Sequence, residues 1–251
     1  MLIGGQLSTP IDTLATVMTV GIAALLSGIA GFAFGAIAGA MLFQFRHDIV
    51  GVVQILLICS IANQSLSVWA LRRDIRPVVV APFLAGGLIG VPAGVWLLLH
   101  LDAGTYVRAL GAILFVYGGY MLLRSPIVLR RSPVIGDVAA GFLGGMAGGF
   151  AATPGAVVSI WCGMKGWDKV RQRAVFQPFI LLMQFVALAL IAAMHRHGAL
   201  GAEIPRIVWA CVPAGLVGTW WGLAWFRRLT DRQFAVAIDL LLIASGAGLV
   251  L

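Results

Sequence analysis

Apolar residues run along the chain in eight long blocks, at about 14–45, 50–71, 77–99, 105–123, 134–164, 174–194, 204–226 and 233–251. Short charged clusters such as Arg72-Arg73-Asp74 and Arg227-Arg228 separate them. None of the blocks alternates with a period of two, so they read as helices rather than barrel strands. A straight helix crosses a bilayer in roughly 20 residues. The first and fifth blocks are half as long again and carry glycines at their midpoints: Gly28, Gly31 and Gly35 in one, Gly141, Gly144, Gly145, Gly148 and Gly149 in the other. Each is expected to be broken in the middle.

The two halves of the chain match each other, which predicts one membrane domain built from homologous halves, 1–125 and 126–251, each of four segments. At a spacing of 113, Gly28, Gly31 and Gly35 fall on Gly141, Gly144 and Gly148. At a spacing of 128, Gly87, Gly90 and Gly94 fall on Gly215, Gly218 and Gly222, and Leu101 falls on Leu229. The second segments match less closely, with Gln54 against Gln177.

The charges choose between two topologies. If all eight segments cross, Lys and Arg divide almost evenly between the two sides, which is unusual for loops this short. If the first and fifth segments fold back as re-entrant hairpins, Arg46, Arg108, Arg196 and Arg206 lie on one side and the other 13 of the 17 basic residues on the opposite one. The second arrangement restores a positive-inside bias, places both termini outside and makes the halves inverted repeats. Long, tilted and kinked helices are the alternative. Non-helical backbone at membrane depth is tolerated only where protein or a water-lined cavity satisfies it.

Composition agrees: 61% of residues are hydrophobic and 10% charged, an integral membrane protein. The net charge of +8 comes from bursts of basic residues between apolar runs, which indicates anchoring in a lipid bilayer and not a nucleic-acid partner. The three cysteines, Cys59, Cys162 and Cys211, lie in apolar segments without metal-site or disulfide spacing. The absence of Lys and Arg before Arg46 argues against the basic start of a signal peptide. No hydrolase, zincin or phosphate-loop motif is present, so the expected class is not an enzyme, and no cofactor or metal is implied.

The candidate residues follow from the breaks. Thr153-Pro154 after the second glycine cluster has the form of a helix start, with Thr153 as N-cap and Pro154 in the first turn. A half-helix starting there would aim N–H groups at mid-membrane, where they attract an anion. The first half has no Thr-Pro, so the second break is the expected anion holder. Gly35, Gly148 and Gly149 would line the site. Gln54 and Gln177, at equivalent positions of an inverted pair, would converge on it as hydrogen-bonding amides. Gln184, Asn63 and Gln64 read as helix-linking amides. Asp239, deep in the last segment, is a candidate for proton coupling. Arg173, with Arg171, reads as a solvated face that could draw an anion to the entrance. Trp161, Trp167, Trp209, Trp220, Trp221 and Trp225 read mostly as interfacial aromatics.

With Gly141-Phe-Leu-Gly-Gly145-Met-Ala-Gly148-Gly149 and the Gly-Leu-Ile/Val-Gly repeats at 87–90 and 215–218 in view, the chain resembles the TauE/SafE sulfite exporter family, also called toluene-sulfonate uptake permeases. The resemblance covers nearly the full length. Two departures concern the substrate: Val52-Val53 and Val175-Phe176 replace small hydroxyl residues of the family's second and sixth helices, and the first half lacks the full glycine run. The resemblance implies a secondary transporter in a bacterial inner membrane, carrying sulfite, an organosulfonate or a related small anion by alternating access, with a proton as candidate coupling ion. A passive anion channel and a non-transporting membrane scaffold are the alternatives. Oligomeric state is not legible.

Overall fold

The computed structural model describes residues 10–42, 49–102, 133–196 and 207–230, with isolated positions between 105 and 119 and between 232 and 243. These residues form eight helices: α1 (Pro10–Ala30), α2 (Phe34–Leu42), α3 (Ile49–Leu71), α4 (Pro77–His100), α5 (Val134–Ala151), α6 (Gly155–Met164), α7 (Lys169–Arg196) and α8 (Val208–Phe226). There is no strand among the described residues. Thr13–Ala30, Gly51–Leu71, Pro77–His100 and Lys169–Ala193 are long and apolar enough to cross a membrane. The fourth and eighth apolar blocks lie largely outside the described residues.

Both over-long blocks are broken. The first stops at Ala30 and restarts at Phe34, and the fifth stops at Ala151 and restarts at Gly155. At each break one residue takes a left-handed backbone: Gly31 at φ +94° and Ala152 at φ +54°. That conformation reverses the helix and is the usual end of one. In the fifth block the chain then folds back on itself. The Asp137 carboxylate near the start of α5 pairs with Lys165 just past the end of α6, at 2.5 Å. It also accepts a 2.6 Å hydrogen bond from the Trp161 indole of α6. The α5–α6 unit is therefore a hairpin with both ends on one side. Between Asp137 and its tip it is about 20 Å long at 1.5 Å per residue. In the first block α1 and α2 likewise pack together.

The breaks also set the register of the duplication. Gly31 and Ala152, the ends of α1 and α5, and the starts of α2 and α6 all correspond at a spacing of 121, not at the 113 that the glycines suggest. Packing agrees with this register. Helix α1 lies parallel to α8, with Gly218 against Gly21 and Leu25, and Gly222 against Leu25 and Gly28. Helix α5 lies parallel to α4 in the same way, with Gly90 against Phe142 and Met146, and Gly94 against Met146 and Phe150. The spacing of 128 expected for the third segments therefore holds. The misleading feature is that α5 carries two glycine stripes. Gly141, Gly145 and Gly149 face α4, whereas Gly144 and Gly148 face Pro154 and Val158 of its own hairpin. A Cβ on the first stripe would enter the backbone of α4, so these glycines are what lets the two helices touch.

Every packing pair of one half recurs in the other: α1–α2 with α5–α6, α2–α3 with α6–α7, α1–α8 with α5–α4, and α3–α8 with α7–α4. The equivalent helices α3 and α7 meet each other across the centre. They run antiparallel, since Gln184 reaches Ser60 near their middles while Arg73 and Asp74, past the end of α3, share a cleft with Asp168 and Arg171 at the start of α7. That same end of the molecule gathers Lys169, which donates to the carbonyls of Phe226 and Leu229 beyond α8. Basic residues of three separate loops are thus collected at one end. The lateral surface is apolar, with Leu14, Met18, Ile89, Leu143, Trp209 and Trp225 exposed as expected where lipid is the solvent. Trp161 departs from the interfacial role: it lies partly buried, bonded to Asp137.

Candidate functional site

The tips of the two breaks meet. A Cβ on Gly35 would strike the Ala152 carbonyl oxygen, and one on Gly155 would lie 2.5 Å from Phe32 Cβ. Phe32 in turn packs edge-on against Phe176 of α7, with ring centroids 5.9 Å apart. The last carbonyls of α1, which have no partner within their own helix, are taken up by long polar side chains. Gly31 O accepts from Gln64 Nε2 at 3.2 Å and from Gln177 Nε2 at 3.1 Å. Gly28 O accepts from Arg173 Nη2 at 2.9 Å. One amide comes from each half's second segment, and Arg173 stands one turn before Gln177 on α7.

Arg173 is the departure from expectation. Instead of a solvated face, its side chain is fully buried, with the guanidinium 4.0 Å from the centre of the Phe226 ring. Its Nε and Nη1 have no hydrogen-bond partner among the described residues. Arg173 is in no ion pair among the described residues, so no described carboxylate answers its charge. An isolated buried cation is costly unless something pairs with it. A Cβ on Gly31 would come within 2.8 Å of Arg173 Nε, which fixes the free edge of the guanidinium beside the first break. Arg171, by contrast, is exposed and lies over Trp167 at 4.4 Å.

The other expected residues divide. Gln177 is at the centre. Gln54 is buried in α3 with its Oε1 unpartnered. Gly35 is at the junction of the breaks. Gly148 packs on Pro154 within the hairpin, and Gly149 packs on α4, so both serve helix contact. Pro154, not Thr153, occupies the cap position of α6, at φ −66°, ψ −23°. The Ala152 carbonyl receives no side-chain donor among the described residues, unlike its counterpart Gly31. Asp239 lies outside the described residues. Sequence reasoning gave Gln64 only a helix-linking role and missed Asp137 altogether. The sole acid in the fifth block, one hairpin length from Lys165, was the available signal for the latter.

Other buried polar atoms have no hydrogen-bond partner among the described residues: Oε1 of Gln64, Gln177 and Gln184, both amide atoms of Asn63, and Thr219 Oγ1. At the basic end, a cleft of about 340 Å³ is lined by Arg73, Asp74, Arg76, Asp168 and Arg171, and by Ala174 and Val175, the chain neighbours of Arg173. Among the described residues no three His, Cys, Asp or Glu side chains come together as a metal site would require. The arrangement can bind a small anion: one unpaired cation, two helix breaks and a set of amides in a water-poor interior.

Comparison with known proteins places the chain. No curated protein and no solved structure matches it. The family model described as Sulfite exporter TauE/SafE matches residues 16–249 of the 251. The chain belongs to the TauE/SafE sulfite exporter family.

Proposed function

We propose that the protein is a secondary transporter that carries a small sulfur oxyanion or organosulfonate across a bacterial inner membrane by alternating access between inverted halves. The buried, unanswered charge of Arg173 beside the two meeting breaks carries this reading. A bound anion would supply the missing counter-charge, with Gln177 and Gln64 fixing its orientation. The antiparallel run of the equivalent helices α3 and α7, with the exchanged packing of α1 on α8 and α5 on α4, supports the inverted arrangement. The basic end then faces the cytoplasm, both termini face outside, and the cleft between Arg73 and Arg171 is the cytoplasmic approach to the site. A proton is the coupling ion, with Asp239 as its candidate carrier.

Proteoliposomes loaded with radiolabelled sulfite or a sulfonate test this. Saturable flux that responds to a pH gradient is expected. Flux that rises linearly with concentration would indicate a channel, and no flux of any sulfur anion would remove the transport assignment. Cysteines placed at Arg46 and at Lys169 should label from opposite faces of the membrane. Labelling from the same face refutes the inverted topology.

A further inference from the structure

We infer that the ligand of this site is a monoanion that also carries a hydrogen-bond donor, hydrogensulfite or a hydroxyl-bearing sulfonate, and that donorless or doubly charged anions are rejected. The inference rests on the proposed anion site and concerns what that site selects.

The orientation of two amides decides it. Gln64 and Gln177 both turn their NH₂ groups to the Gly31 carbonyl. The reverse orientation would set oxygen against oxygen, so the carbonyl at the break dictates which end of each amide is left over. What remains is Oε1 in both cases, buried and without a donor among the described residues. Among the described residues, the buried charged donors without a partner are Nε and Nη1 of Arg173. The centre therefore offers one positive charge and a surplus of acceptors.

A sulfonate or sulfite oxygen satisfies the guanidinium but repels amide oxygens. A ligand that also bears an O–H satisfies both. A ligand without one leaves buried acceptors unpaired, the case in which binding sites discriminate most strongly. A dianion brings a second negative charge that no second buried cation among the described residues answers.

Calorimetric titration of the purified, full-length protein with isethionate and with propanesulfonate tests the donor. The two share charge and shape and differ by O–H against CH₃. Isethionate should bind at least about tenfold more tightly, a typical penalty for an unpaired buried group. Hydrogensulfite should bind and excess sulfate should fail to displace it. In Gln177→Met and Gln64→Met, checked by thermal melting for an intact fold, the preference for isethionate should shrink while propanesulfonate still binds. Equal binding of the two sulfonates in the wild-type protein, or displacement of hydrogensulfite by sulfate, overturns the inference and leaves the anion site standing. Failure of all three sulfur anions to bind overturns the site itself.

Discussion

The two helix breaks are built on one plan and finished differently. Each ends a long helix on a left-handed residue, restarts three residues later, and lies against the third segment of the other half. At the first break the helix end is polar: Gln64, Gln177 and Arg173 all donate to its carbonyls. At the second break the neighbours are Pro154, Phe32, Ile180 and glycine. The ion pair of that hairpin lies far away at its base, between Asp137 and Lys165. Duplication thus supplied two equivalent hinges. One carries a buried charge at its helix end, and the other is tied down from below.

The largest expected effect comes from removing that charge. Arg173→Met should lower anion affinity at least about 100-fold, the range for truncating one member of a buried charge pair. Its thermal stability should hardly fall, because an unanswered buried cation is replaced by an apolar side chain of similar reach. A titration and a melting curve on the same sample check both halves of the statement. Retained binding in Arg173→Met would end the claim that the first break is the charged one.

The left-handed residues give a second contrast. At Gly31 an added methyl would incur the left-handed penalty of about 1–2 kcal/mol and meet Phe176 Cε2 at 2.7 Å and Arg173 Nε at 2.8 Å. Gly31→Ala should therefore destabilise by about 3 kcal/mol and weaken binding, since the ring and guanidinium must both move. Ala152→Gly relieves the same penalty at the equivalent position. It should be neutral or stabilising by up to about 1 kcal/mol in chemical denaturation. Similar losses for both variants would show that the breaks are not equivalent hinges.

Much of this architecture is legible in the chain. Length and mid-block glycines announce the broken segments, and the loop charges favour folding them back over running them through. The spacing of 128 between Gly90 and Gly218 survives in the packing. The register of the first segments does not, because glycine in a membrane helix has more than one use. Two stripes on α5 overlap in sequence, and only the partner helix separates Gly145 and Gly149 from Gly144 and Gly148. Arg173 was misjudged for a related reason. Among Lys165, Lys169 and Arg171 it looks like one more cytoplasmic base. Helical periodicity turns it with Gln177 towards the interior, whereas Arg171 points out, and a single sequence offers no sign of which face is buried. Thr153-Pro154 does mark where α6 begins, but a helix-start signature says nothing about what the helix end will touch.

The clamp at the base of the second hairpin is the next test. Asp137→Asn leaves the indole bond of Trp161 possible but strips Lys165 of its counter-charge. Both partners are nearly buried, with side chains 9% and 11% exposed. Breaking such a pair costs about 3 kcal/mol, softened here by the Phe83 and Trp167 rings that lie 5.6 and 4.8 Å from the ammonium. The melting temperature should fall while the affinity of the folded protein for its anion stays within about threefold. A large loss of affinity with an unchanged melting curve would mean that the hairpin base takes part in binding.

The smallest expected effect is at Thr153, and it discriminates best between the breaks. Its side chain is buried at the second break, and Thr→Val keeps its shape while deleting the hydroxyl. If the second break held the anion through that hydroxyl, Thr153→Val would cost at least about tenfold in affinity, as a lost buried hydrogen bond does. If the polar work is done at the first break, affinity should change less than about twofold, while Gln177→Leu, which removes a donor from the Gly31 carbonyl, should lower it about tenfold or more. Measured side by side with isethionate, the two variants order the breaks directly. An affinity loss at Thr153 that equals or exceeds the loss at Gln177 would reverse the assignment and return the anion to the second hairpin.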